Sequence, residues 1–184
     1  MPGVGDMQHA CWMHAYRGLL DDAFLKQLTP EGIASYHGRH FDAGGNHAAP
    51  GMPFFVAETS QPQERVNPII GMVRGGPTRA KSASGDTVPP EIVASFPFEL
   101  FGIHVAHDLH RSGVGRSLFI SYAKAGLALG HHSLVLWVLS HNAPAIAFYE
   151  SLGGKPVGES PLTLGAKSYP QTAYAWTDLG SFVS

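Results

Sequence analysis

Apolar positions near the start of the chain recur at helical spacing. Met7, Cys11 and Ala15 fall four apart with Trp12 and Tyr16 beside them, which predicts an amphipathic helix. Gly18 interrupts it. Asp21 or Asp22 can cap a second short helix holding Phe24 and Leu28, and Thr29-Pro30-Glu31 opens a third, with Thr29 as cap and Pro30 in the first turn. The stretch from Gly44 to Pro53 is rich in Gly, Pro and Ala and predicts a loop. Two short β-rich runs follow, Phe54 to Glu58 and Ile69 to Val73, with polar, turn-like residues between them, and together they read as a hairpin ended by Gly75-Gly76-Pro77. Thr78 to Pro97 shows little periodicity and predicts a mobile surface linker. Phe98 to Val105 predicts a third strand.

The pattern then changes. Arg111 to Gly115 is a glycine-bearing turn, and Leu118, Phe119, Tyr122, Ala125 and Leu129 form one helical stripe that Gly130 stops. Leu134 to Leu139 is unbroken apolar, as in a strand covered on both faces. Strand, helix and buried strand make a βαβ unit, so these two strands should be parallel with a right-handed crossover. Pro144 starts another helix ending near Gly153-Gly154, and two more strands are expected around Pro156-Val157 and Ala173 to Trp176. The elements predict a mixed α/β fold in a single domain spanning 1–184. A chain of 184 residues with 44% hydrophobic residues can bury a full core.

Charge narrows the functions. Only 14% of residues are charged and the formal net charge is −2, so a broad phosphate footprint on nucleic acid is not expected. No run of about 18 apolar residues predicts a membrane span, and Met1 to Met7 lacks the features of a signal peptide. The single cysteine, Cys11, excludes an internal disulfide framework and a cysteine-built zinc site, and it fits a reducing cytoplasm. His104, His107 and His110 recur every three residues, but they cross a strand end and a loop, and no His-Glu-x-x-His pattern exists. No metal is expected.

The segment His110-Arg111-Ser112-Gly113-Val114-Gly115-Arg116 lies between a predicted strand and a predicted helix. The first amides of a helix have no internal partner, and the helix dipole puts partial positive charge there, so the turn suits a phosphate or pyrophosphate. Arg111 and Arg116 add full charges, and protonation of His110 near neutral pH would add another. The turn is neither a Walker loop nor a dinucleotide fingerprint. On spacing alone, a plain strand-to-helix turn reads equally well.

From Glu99 to Gly154 the chain resembles the GCN5-related N-acetyltransferase (GNAT) superfamily. Its acetyl-CoA motif, Gln/Arg-x-x-Gly-x-Gly/Ala, is matched by His110-Arg111-Ser112-Gly113-Val114-Gly115, and Ile103 to His107 resembles the preceding strand end. Asn142-Ala143-Pro144-Ala145-Ile146-Ala147-Phe148-Tyr149-Glu150-Ser151-Leu152-Gly153-Gly154 is similar to a second family signature. Trp12 to Leu20, Gly71 to Arg79 and Tyr174 to Leu179 carry weaker likeness. His110 stands where Gln or Arg is usual and His107 where Pro is usual. The resemblance implies a central, mostly antiparallel sheet with one parallel pair and helices on both faces. Members usually begin with a strand before the first helix, and Met1 to Asp6 is a poor candidate for one.

The resemblance also implies a site. Acetyl-CoA would be the cosubstrate, its pantetheine pairing with the backbone of Ile103, His104 and Val105, its pyrophosphate on the amides from His110 to Arg116, and Asn142 on the pantetheine arm. The amide of Val105 would meet the oxyanion, and Tyr149 would be general acid for the leaving thiolate, unless it only packs its helix on the sheet. Glu99 stands in an otherwise apolar strand, where a carboxylate is costly unless it serves a cleft or is paired. It is the first candidate for general base, the other reading being a surface-facing strand carboxylate. Tyr16 is expected in the acceptor pocket. The pocket itself would come from the N-terminal helices, the 78–97 linker and a loop over 158–170, serving a small-molecule or peptide amine. A non-catalytic acetyl-CoA-binding or interaction module is the alternative, and an uncovered sheet edge would favour a homodimer.

Overall fold

The computed structural model describes residues 1–41, 50–82 and 84–182. Its elements run α1 (Pro2–Ala15), α2 (Asp22–Leu25), α3 (Pro30–Gly38), β1 (Phe54–Glu58), β2 (Ile69–Pro77), α4 (Pro90–Ser95), β3 (Phe98–Val105), α5 (Val114–Ala128), β4 (Leu134–Leu139), α6 (Ala143–Ser151), β5 (Lys155–Leu164) and β6 (Lys167–Trp176). The cap chemistry behaves as the sequence suggests. Asp21 accepts from the amides of Ala23 and Phe24 to start α2, and Thr29 accepts from Gly32 to start α3. Among the described residues no strand precedes α1. Part of the expected 44–53 loop lies outside the described residues.

The strands form one sheet in the order β1-β2-β3-β4-β6-β5, antiparallel throughout except for the β3–β4 pair. Helices cover both faces. On one, α5 buries Leu118, Phe119, Tyr122 and Ala123 against Phe98, Leu100, Leu134 and Leu136. Leu129, predicted on the same stripe, is exposed. On the other face, Val4, Met7 and Cys11 of α1 pack on Met72 of β2.

Two expectations are corrected here. The 78–97 segment is not a mobile linker, because it contains α4, and its Val88, Ile92 and Phe96 are buried against Val135, Ala173 and Ala175. Three apolar side chains spaced four apart were too few to register as a period in so Pro-rich a stretch. The predicted 158–170 loop is instead a β-hairpin, β5 with β6, joined at Gly165, whose φ of +62° suits the turn. Pro156 and Pro161 of the edge strand β5, and Pro170 of β6 just past the last β4 pair at Gln171, disguise it, since proline is tolerated where a strand has a free side but reads as a breaker.

A buried polar chain ties the helical cap to the sheet. Gln8 of α1 accepts at Oε1 from His37 Nε2 (2.5 Å) and donates from Nε2 to His104 Nε2 (3.2 Å). An amide oxygen only accepts and an amide nitrogen only donates, so Gln8 fixes both tautomers. His37 is 1% exposed. Burial, then the charges of Arg74 and His40, press its proton affinity down to about 4, and burial with His37 and Arg74 presses His104 down to about 3.

Two predictions follow from this packing. Ile92→Ala should cost about 2–4 kcal/mol in urea unfolding, the range for emptying a core site, whereas a linker residue would show no change. A histidine whose folded-state proton affinity lies below its unfolded value contributes stability that is complete above pH 6.5 and lost as pH falls toward 4. His37 should therefore contribute a loss of about 1.4 kcal/mol per pH unit across that window. His37→Gln should flatten the slope by one proton, and identical pH profiles for the two proteins would contradict this.

Candidate active site

β3 meets β4 only at Glu99↔Val135 and Leu100↔Leu136. The reason lies on its other side. Gly75 faces Leu100 while Arg74 faces Gly102, leaving Phe101 as an extra residue in β3. Such a bulge bends its strand, so Phe101 to Val105 follows β2 and parts from β4, which stays paired with β6 along its whole length. The wedge opens into a cleft of about 1310 Å³ lined from α1, α3, α6 and the β5–β6 hairpin. Gly102, in the middle of an apolar strand, was the sequence signal for the bulge.

The pairing pattern gives the direction of the backbone. Ala106 donates to Ile70 at 2.9 Å. In an antiparallel ladder, hydrogen-bonded pairs alternate with pairs whose polar groups face outward. Met72 and His104 therefore bond to each other, while Ile103 and Val105 turn their N–H and C=O groups toward the gap. At the strand end the Val105 carbonyl is contacted by the Cys11 thiol (3.1 Å) and His110 Nε2 (3.2 Å). Burial raises the thiol to about 11, so Cys11 stays protonated and donates. His104 departs from its expected place. Its backbone is spent on β2, and its imidazole lies on the opposite face from α5, against Gln8.

The glycine turn sits at the mouth of the gap. Gly113 caps α5 with φ +91°, no side chain caps the helix, and nothing lies within 4 Å of where its Cβ would be. Ser117 donates to the Gly113 carbonyl, so the amides of Val114, Gly115 and Arg116 precede the first internal helical bond. The expected amide cradle is thereby narrowed. The amides of His110 and Ser112 bond back to His107 and Leu109, and the Ser112 hydroxyl also donates to Leu109 (2.6 Å). Gly115 serves packing, since a Cβ there would stand 3.2 Å from the Phe148 ring. Arg111 and Arg116 both line the cleft.

Asn142, Tyr149, Tyr16 and Glu99 also line it. Asn142 caps α6 by accepting from Ala145 (3.3 Å). Tyr149 is buried, and desolvation followed by the nearby Tyr16 phenol holds its hydroxyl well above the usual tyrosine range. It stays protonated at neutral pH. Tyr16 is shifted the same way by burial. Glu99 is 1% exposed. Its carboxylate is paired rather than free, because Arg79 donates from Nη2 (2.5 Å) to Oε1 and from its amide (3.0 Å) and Nε (3.3 Å) to Oε2. Of the three spaced histidines, His107 and His110 come together at 5.2 Å between ring centroids, with His14 at 3.4 Å from His107, while His104 points away to Gln8 of α1. Among the described residues no group of three His, Cys, Asp or Glu is placed to hold a metal ion, and no helix is long and apolar enough to cross a membrane.

Sequence reasoning missed Arg74, Phe101, Gln8 and Trp137, which all line the cleft. Phe101 carries two guanidinium groups near its ring, Arg79 at 4.1 Å and Arg74 at 5.6 Å. Nothing local marks these residues, because only the bulge and the packing of α1 and α3 bring them together.

The family profile described as "Acetyltransferase (GNAT) family" matches residues 13–154. A curated relative, the uncharacterized N-acetyltransferase YuaI of Bacillus subtilis (strain 168), is 25% identical over 119 residues, covering 65% of this chain. The match spans 62% of that relative's length. Among solved structures, the PaiA N-acetyltransferase of Thermoplasma acidophilum in complex with coenzyme A aligns with a TM-score of 0.58 and 14% identity, over 92% of this chain and 89% of that one. An N-acetyltransferase from Staphylococcus aureus Mu50 aligns at 0.59 and 17% identity, over 95% and 93%. The profile match over most of the sequence, on a sheet split in this way, shows that the chain belongs to the acetyltransferase (GNAT) family.

Proposed function

We propose that the protein transfers an acetyl group from acetyl-CoA to a primary amine of a small molecule or peptide by direct attack. The observation that carries this reading is the parting of β3 from β4 directly before the uncapped first turn of α5. The gap presents the outward backbone groups of Ile103 and Val105, and the turn presents three amides and two arginines. A thioester with a pyrophosphate some distance away is complementary to that pair of features. The coenzyme A held by the PaiA structure supports the same cosubstrate.

Each residue then has a role that its setting supports. The amides of Val114, Gly115 and Arg116, reinforced by Arg111 and Arg116, hold the pyrophosphate. Ile103 and Val105 extend the sheet toward the pantetheine, and the Val105 N–H meets the oxyanion that develops on the thioester carbonyl. Asn142 anchors the start of α6 beside the arm. Tyr149, kept neutral by burial, gives its proton to the leaving thiolate. Glu99 takes a proton from the acceptor's ammonium through water, leaving the free amine to attack the thioester carbonyl. Three of the roughly four lone-pair sites of the carboxylate are occupied by Arg79, leaving one for that water. Tyr16 closes the acceptor side beside Tyr149.

Isothermal titration with acetyl-CoA and thiol release over an amine panel test the reading. Gly113→Val forces a branched side chain into a φ of +91° at the helix mouth, and cofactor affinity should fall at least about tenfold. Tyr149→Phe should lower kcat about 100-fold with cofactor affinity unchanged. Glu99→Gln should likewise lower turnover and spare cofactor binding; equal turnover would remove Glu99 from the proton path. Absence of acetyl-CoA binding would overturn the whole reading, and binding without thiol release to any amine would leave a cofactor-binding module.

A further inference from the structure

The acceptor half of the cleft has an unbalanced charge. Glu99 is the one carboxylate among the described residues lining the cleft, and Arg79 occupies it. Arg74 lines the same cleft from β2, on the sheet face that carries His104, with no carboxylate within ion-pair distance among the described residues. Its guanidinium is nevertheless held in place. Nη2 donates to the Tyr36 hydroxyl at 2.8 Å, and the group stands 4.8 Å from the Tyr36 ring centroid and 5.6 Å from that of Phe101. A guanidinium has five donors in a fixed fork. One is used here, and two aromatic rings limit the rotation of the rest.

A second, independent observation concerns orphaned polar atoms. Trp12 Nε1, Trp137 Nε1 and His37 Nδ1 are buried without a hydrogen-bond partner among the described residues, and all three residues line this cleft. Buried polar groups without partners are rare and costly. The two indole nitrogens can only donate. Gln8 makes His37 Nε2 the donor, so Nδ1 of the neutral ring can only accept. These atoms are closed to solvent, so a polar group meets them only where the lining shifts to admit it.

We propose that the acceptor is a primary amine that also carries a carboxylate, gripped through that carboxylate by Arg74. This deepens, and rests on, the acetyl-transfer reading. Tyr36 and Phe101 hold the guanidinium ready for a bidentate contact, the strong geometry for a carboxylate. The same lining disfavours polycations, which would meet Arg74 with no free carboxylate to receive them.

Matched amines test this: L-leucine against L-leucinamide, 4-aminobutyrate against 4-aminobutanamide, with spermidine as a polycation. Thiol release from acetyl-CoA should give kcat/KM at least tenfold higher for the carboxylated member of a pair. Arg74→Met should erase that preference chiefly through KM, and Arg74→Lys should keep part of it. Binding to the coenzyme A complex, read by quenching of tryptophan fluorescence, covers the case in which none of these amines turns over; the carboxylated members should then bind more tightly than their amides. Equal or better use or binding of the amides, a preference for spermidine, or a preference unchanged in Arg74→Met would overturn the proposal. Titration with acetyl-CoA on the same variant separates the two readings. Arg74→Met should bind the cofactor like the parent, so loss of carboxylate preference with intact cofactor binding fails this inference alone.

Discussion

One extra residue in β3 governs the site. Without Phe101 out of register, β3 would stay paired with β4 beyond Leu100, and a continuous sheet would leave no gap. The bulge also resets side-chain parity. Phe98 and Leu100 face α5, and after the extra residue Ile103 and Val105 face it again, while Gly102 and His104 look to the other side. One local irregularity therefore frees the backbone of Ile103 and Val105 and keeps the core under α5 filled. Close approach of β2 supports it. At Gly75 a Cβ would stand 2.0 Å from both the Glu99 carbonyl and the Tyr122 hydroxyl, which bond to each other at 2.7 Å. Glycine at 75 and a buried tyrosine at 122 thus brace the strand just before it turns away.

The two halves of the cleft rest on different physics. The side at the β3–β4 gap is built from main-chain groups with fixed directions: outward N–H groups on a strand and uncapped amides on a helix. Their positions follow from hydrogen bonds elsewhere, in the β2–β3 ladder and in the turn that spends the His110 and Ser112 amides. The side under α1 and α3 is built from charged and aromatic side chains, from the buried Glu99 to the exposed Tyr36. A buried carboxylate is tolerable only when paired. Arg79 supplies the pair to Glu99 and rests on Phe101 while doing so. The bulged phenylalanine that splits the sheet is also the surface against which both arginines are set.

That division explains what was legible in the sequence. The strand at 98–105 and the helix starts at Asp21, Thr29 and Gly113 were readable because caps, turns and apolar periods act over a few residues. The glycine turn was readable for the same reason, as it is contiguous. The α4 segment was hidden by Pro89 and Pro90 beside a period of only three buried residues. The β5–β6 hairpin was hidden by prolines placed where its strands have a free side. Arg74, Tyr36 and Phe101 carry no shared local signal. They lie 38 residues apart at the Arg74–Tyr36 bond and meet only after α3 packs over the sheet. The ion pair of Glu99 was half legible, since a carboxylate in an apolar strand announces either a cleft or a partner, and here it has both.

The buried chain from His37 through Gln8 to His104 connects these halves. Gln8 sits on α1, one turn from Cys11, whose thiol reaches the Val105 carbonyl. The same helix therefore contacts the end of β3 at Val105 and sets the tautomer of His104. Because Gln8 has one donor end and one acceptor end, it cannot serve both histidines unless α1 sits in a single register on the sheet. A shift of α1 by one residue would turn Gln8 and Cys11 away together, breaking the His37–Gln8–His104 chain and the contact at the Val105 carbonyl at once. The apolar contacts of Val4 and Met7 with Met72 give α1 its affinity for the sheet, and the polar chain gives it its position. Hydrophobic burial is non-directional and could not by itself fix that register.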